Sequence, residues 1–116
     1  MKGFTYNGET YPFDVYDVEQ AARFEHALER VTAATKSVPL DGKLSERMLW
    51  MLNVYKQFLD DVFGDGAADK MLGGCSNVRT VEAVCYDVID MVTAQQREYE
   101  ADTRARRLKP SKRSKG

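Results

Sequence analysis

The densest run of chemically capable side chains is Asp60-Asp61-Val62-Phe63-Gly64-Asp65-Gly66-Ala67-Ala68-Asp69. Carboxylates at this density can hold a cation or meet a basic partner. Taking Asp61 as the first position of a calcium loop puts Asp65 at the fifth, Gly66 at the sixth and Asp69 at the ninth, all suitable. Phe63 then falls at the third and Leu72 at the twelfth, where a bidentate glutamate should close the shell. No metal site is therefore expected. Acids stacked at a helix C-terminus oppose the helix dipole. Asp60, Asp61 or Asp65 should accordingly meet a basic group, either within the fold or on a partner.

Acid–base catalysis usually recruits histidine or a pocketed carboxylate. His26 is the only histidine, lies beside Glu25 and falls off the apolar stripe through Phe24 and Leu28, so a solvated surface position is expected. Cys75 and Cys85 are ten residues apart and belong to no CxxC pair; two reduced, small hydrophobic side chains are expected. GxSxG, HExxH and Walker-type glycine loops are all missing. No catalytic residue and no cofactor is expected, and the chain reads as a binding protein rather than an enzyme.

Charge is divided along the chain. It carries 17 basic and 18 acidic residues, but Arg104, Arg106, Arg107, Lys109, Lys112, Arg113 and Lys115 fall in 104–116, where there is no acid. An acidic body therefore bears a basic tail, an asymmetry common in interaction tails. Three roles are open to the tail: complementing a helix dipole in solvent, docking on an acidic protein surface, or attracting phosphate. Nucleic acid is the least favoured, because the tail lacks an aromatic residue to stack on bases and the acidic body repels phosphate.

These groups have to be positioned by a small frame. The 116 residues, 43% hydrophobic and 30% charged, suit one globular domain over 1–103 with a partly disordered tail over 104–116. No apolar run approaches the ~20 residues that cross a bilayer, and the start lacks a signal-peptide apolar block, so the cytoplasm is the expected location. Asn7-Gly8 suits a two-residue type I′ turn, within a hairpin over 3–15. That register puts Phe4, Tyr6 and Tyr11 on one aromatic face, which must pack on the chain's own helices or on a partner. Both options stay open.

Asp17 and Gln20 resemble a capping box opening a helix over 18–36, with Val18, Ala21, Phe24, Leu28, Val31 and Thr35 as its buried stripe. A second helix over 44–63 buries Met48, Leu52, Tyr55, Leu59 and Val62, widened by Met51, Phe58 and Phe63, as a central helix would. A short helix over 67–72 follows. A last helix over 78–107, capped by Asn77, carries Val81, Val84, Cys85, Val88, Val92, Gln95 and Tyr99. Met48, Met51, Met71 and Met91 are expected in the core. The fold class is α+β, mainly α, with an N-terminal β-hairpin packed on about four helices.

The segments Asn7-Gly8-Glu9-Thr10-Tyr11-Pro12-Phe13-Asp14-Val15-Tyr16-Asp17 and Phe58-Leu59-Asp60-Asp61-Val62-Phe63-Gly64-Asp65-Gly66, with Leu72-Gly73-Gly74, resemble a family of short proteins from phages and prophages of Gram-positive bacteria. The similarity covers residues 4 to about 100 and leaves the basic tail unmatched. The resemblance implies a phage morphogenesis protein, similar to the tail-assembly chaperones that coat the tape-measure protein and recruit tail-tube subunits in the host cytoplasm. Tape measure and tail tube are then the expected partners, with self-association left open and no membrane contact. Two alternatives stand beside it: a structural or scaffolding component of the virion, and a nucleic-acid-binding phage regulator that uses the tail.

Overall fold

In the computed structural model, which describes residues 2–108, two strands are followed by four helices. They are β1 (Gly3–Tyr6), β2 (Glu9–Pro12), α1 (Val18–Thr35), α2 (Leu44–Phe63), α3 (Ala67–Leu72) and α4 (Val78–Leu108). The fold is α+β and mainly helical. Of the tail expected to be partly disordered, residues 109–116 lie outside the described residues, Lys109, Lys112, Arg113 and Lys115 among them.

Local chemistry explains the hairpin. Asn7 and Gly8 sit at φ 50° and 78°, the left-handed pair that a type I′ turn requires. The antiparallel register pairs Phe4 with Tyr11, Thr5 with Thr10 and Tyr6 with Glu9. On the outer face the Thr5 and Thr10 hydroxyls are 2.9 Å apart and share a hydrogen bond. On the inner face Phe4 and Tyr11 are buried, with ring centroids 6.1 and 6.0 Å from that of Phe63 at the end of α2. Phe13 completes the cluster, edge-on to Phe63 at 6.4 Å and to Phe24 at 6.2 Å.

Capping departs from the expected box. Asp17 accepts hydrogen bonds from the Glu19 and Gln20 amides, as an N-cap should. The Gln20 side chain, however, reaches past Asp17 to accept from the Asp14 amide at 2.8 Å. It therefore ties α1 to the segment leaving the hairpin. Glu46 accepts from the Lys43 amide, half of a capping box whose other half a lysine cannot supply. Asn77 accepts from the Thr80 amide and opens α4.

The core is built on α2. Helix α1 packs antiparallel to it, with Arg23 close to Gly64 at one end and Ala34 beside Val54 at the other. Along α4, Cys85 meets Tyr55 near the middle of α2, and Gln95 holds Phe13, which lies against Phe63 at its end. Helix α4 thus runs alongside α2 in the same sense. Leu59, Val62, Val81, Val88 and Val92 are almost fully buried between these elements.

The expected stripes of α2 and α4 are buried along most of their length and fail at their ends, while that of α1 is only half-buried. Val18, at the head of the α1 stripe, is 81% exposed, while the fully buried residue of α1 is Ala27, which lies outside the expected stripe. Small Ala27 sets a close approach to α2, and that contact turns Leu28 and Val31 toward the edge. Met48 of α2 is 42% exposed rather than buried, and Met51 and Met91 are half-buried; of the four methionines only Met71 is a core residue. Tyr99, expected to continue the α4 stripe, is exposed and stacks at 5.0 Å on Tyr16.

Candidate protein-docking surface

Of the residues singled out for interaction, Phe4 and Tyr11 belong to the core and Tyr6 packs half-buried against it. The aromatic face of the hairpin is therefore covered by the chain's own helices, because Phe63 presents a ring to it from the end of α2. An exposed interaction face is not available there. Lys70 of α3 locks the outer edge, pairing with Glu9 at 2.6 Å and lying 5.6 Å above the Tyr11 ring.

The three aspartates separate. Asp60 accepts the Ala68 amide at 2.8 Å and so caps α3 from a neighbouring helix, satisfying one of the amides that a helix N-terminus leaves open. Asp61 accepts from Gln57 at 2.9 Å and pairs with Arg30 of α1 at 3.1 Å. Asp65 is exposed. The opposition between these acids and the α2 dipole is thus relieved within the fold, by one helix N-terminus and one guanidinium. No three His, Cys, Asp or Glu side chains converge among the described residues.

The surface left open lies between α1 and α4. Both pack on α2, but they make little direct contact with each other, and a groove of about 380 Å³ runs between them. Tyr55 and Phe58 of α2 form its floor. Leu28, Val31, Thr32 and Thr35 make the α1 wall; Glu82, Cys85, Tyr86 and Ile89 make the α4 wall. The α1 stripe is wider than its contact with α2, and the surplus faces this groove.

Polar groups inside the groove are mutually engaged. The Tyr55 hydroxyl donates to Glu82 at 2.9 Å, and the Cys85 thiol donates to the Tyr55 carbonyl at 3.4 Å. Burial, reinforced by the Glu82 charge, pushes the Cys85 thiol up to about 12. Burial and the bond to Glu82 likewise raise the Tyr55 phenol. A thiol held in its neutral form is a poor nucleophile.

The groove also continues beyond the body. At ~100° per residue, Leu44, Met48, Met51, Tyr55, Phe58 and Val62 fall on one line of α2. The line is covered from Tyr55 onward. Toward the N-terminus α1 has ended at Thr35 and α4 has not begun, so Leu44 is 65% exposed. Leu40 in the preceding loop is 88% exposed, and Tyr86 on the groove rim is 59% exposed. Sequence periodicity identified Met48 as apolar but could not show that its neighbours stop short of it.

At the opposite end α4 carries Arg104, Arg106 and Arg107 in an exposed helical segment that also bears Glu100 and Asp102. His26 is exposed on the outer face of α1. Cys75 and Cys85 are both free thiols. No helix among the described residues is long and apolar enough to cross a membrane.

A family model matches residues 7–115, and the chain belongs to that family, described as a family of unknown function (DUF6673). The match runs through the basic tail, well past residue 100, where the resemblance read from the motifs stopped. No curated protein and no solved structure matches the chain.

Proposed function

We propose that this chain is a phage morphogenesis protein that works by protein–protein binding, as a tail-assembly chaperone engaging the tape-measure and tail-tube proteins in the cytoplasm of the bacterial host. One observation carries the binding reading: the apolar line of α2 runs out of the fold at Met48 and Leu44, at the mouth of an apolar groove between α1 and α4. Contiguous apolar surface of this kind marks interaction sites. Methionine beside such a groove adapts to more than one partner shape. The phage assignment is supported by the motif resemblance around Asn7–Asp17 and Phe58–Gly66.

Co-expression with the tape-measure and tail-tube proteins of the same phage tests the reading. A complex is expected that the substitution Met48→Glu weakens. No complex, together with normal tails after deletion of the gene, would sink it.

A structural or scaffolding role in the virion is the second reading, favoured by the exposed, charged end of α4. It is separated by looking for the chain in purified particles, where a chaperone should be missing. A nucleic-acid-binding role draws on Arg104, Arg106 and Arg107, but Glu100 and Asp102 on the same segment counter their field. DNA binding that weakens steeply with salt would support it.

A further inference from the structure

We infer that the outer face of α4 pairs with the same face of a second copy, antiparallel about a two-fold axis and held by reciprocal aspartate–arginine contacts. This face is separate from the groove between α1 and α4, and the pairing is independent of what the groove binds.

Helix α4 outlasts the body that supports it. Near the point where it leaves, Lys2 pairs with Glu98 at 3.1 Å and Tyr16 stacks on Tyr99. From Glu100 to Arg107 no ion pair reaches another element among the described residues, and all but Thr103 are exposed. Past Gln95, the last buried side chain, the helix continues to Leu108, about 20 Å further, and draws the molecule out to 73 Å against 30 and 21 Å across. A helix shorter than about 12–15 residues is marginal in water when isolated. One that is polar all round is held by charge pairs or by a second body.

Charge order identifies that second body. At ~100° per residue, the side of α4 opposite buried Val81, Val88 and Val92 carries Asp87, Asp90, Ala94, Arg97, Ala101 and Arg104. All six are exposed, and the four charged ones have no ion-pair partner among the described residues. Their spacing alternates three and four residues, as along a coiled-coil seam. A two-fold axis level with the midpoint of Gln95 and Gln96 maps the six onto themselves. Asp87 comes level with Arg104 of the other copy, Asp90 with Ala101, and Ala94 with Arg97. Asp90 then lies within about 4.5–6 Å, along the axis, of two guanidinium-bearing residues. The small Ala94 and Ala101 leave room for the long arginine side chains. A parallel pairing in register would set each charge on its like.

One chain cannot satisfy these groups by itself. Arg104 stands about 21 Å along the helix from Asp90, well beyond the ~8 Å Debye length at physiological salt. The antiparallel pair brings them together twice, and the contact closes on itself as isologous dimers do. The two bodies do not collide: each packs on the inner side of its own helix, and the axis sends them to opposite ends. Arg79, on the same outer side, falls past the reach of the other copy's described arm. Single surface ion pairs contribute little, whereas networks contribute more, so the dimer is a weak and salt-sensitive one.

Sedimentation equilibrium over a range of concentrations measures the mass. A dimer is expected at about 0.05 M salt, with affinity falling at least about tenfold by about 0.5 M as screening sets in. The double variants Asp87→Arg with Asp90→Arg, and Arg97→Glu with Arg104→Glu, should each be monomeric with an unchanged thermal midpoint, because all four side chains are exposed. An equimolar mixture of the two variants should recover the dimer, since reversed acids then face reversed bases and the other half stays native. A native chain that is monomeric at every concentration overturns the pairing. So does a dimer indifferent to salt, a dimer that survives either reversal, or a mixture that stays monomeric. Met48→Glu, which probes the groove, should leave the dimer intact; dissociation by that change would place the contact on α2 and overturn the α4 pairing. The tape-measure co-expression is read separately, so its failure leaves the α4 dimer standing.

Discussion

Gln95 of α4 grips the backbone on both sides of Asp14. Its Nε2 donates to the Phe13 carbonyl at 2.9 Å, and its Oε1 accepts from the Val15 amide at 2.9 Å. A single buried amide side chain thus replaces the strand that would otherwise satisfy the segment leaving the hairpin. It also fixes where Phe13 inserts between Phe63 and Phe24.

Gln95→Leu keeps the volume and deletes both bonds, leaving a backbone donor and acceptor with no partner in the interior. The cost should be about 2–4 kcal/mol, from the penalty for buried unsatisfied groups. Urea denaturation measures it. A loss below about 0.5 kcal/mol would mean that water reaches those groups.

Phe63 is the ring on which the hairpin rests. Phe63→Ala should cost roughly 3–5 kcal/mol, the range for truncating a large aromatic side chain, although its partial burial favours the lower end. Hydrogen exchange should show β1 and β2 losing protection before α2 and α4. Uniform loss across the chain would show instead that hairpin and helices unfold as one unit.

Asp60→Ala removes the carboxylate that caps α3 and should cost about 1–2 kcal/mol, as lost caps do. Asp60→Asn retains an acceptor and should recover much of that stability. The pair of Asp61 with Arg30 predicts a smaller effect. Arg30 is more than half exposed, and a double-mutant cycle should return no more than about 1 kcal/mol. Equal stability of Asp60→Ala and Asp60→Asn would remove the capping role.

The Cys85 thiol is raised from 9.0 to about 12 in the fold by burial, with the Glu82 charge adding to it. An acid whose folded value is raised contributes its stability fully below the unfolded value and loses it as pH rises. Stability should therefore fall between about pH 9 and pH 12, and Cys85→Ala should flatten that slope. At pH 8 a thiol reagent should label half-buried Cys75 well before Cys85. Equal labelling rates would contradict the burial of Cys85.

Much of this architecture was legible because it is local. Asn7-Gly8 dictates its turn, that turn dictates the Phe4–Tyr11 register, and Asp17 and Asn77 announce helix starts through chemistry contained within three residues. The apolar spacing of Val81, Val84, Val88 and Val92 needs only the helical repeat. Even the strain at Asp60 and Asp61 was readable, since a dipole penalty at a helix end calls for a compensating partner.

The open apolar surface was not legible, for a physical reason. Periodicity reports which side chains share a face; it carries no information on how much of that face a neighbour covers. Met48 has the same sequence signature as Leu59, yet α1 approaches α2 closely at Ala27 and ends before Met48. By itself the sequence determined the elements, the fold class and the lack of the usual catalytic motifs. Only the tertiary structure decided that the hairpin's aromatic face is core, that Asp60 caps the helix that follows its own, and that the open apolar surface belongs to α2. Those outcomes depend on relative lengths and spacing of packed helices, which no single segment encodes.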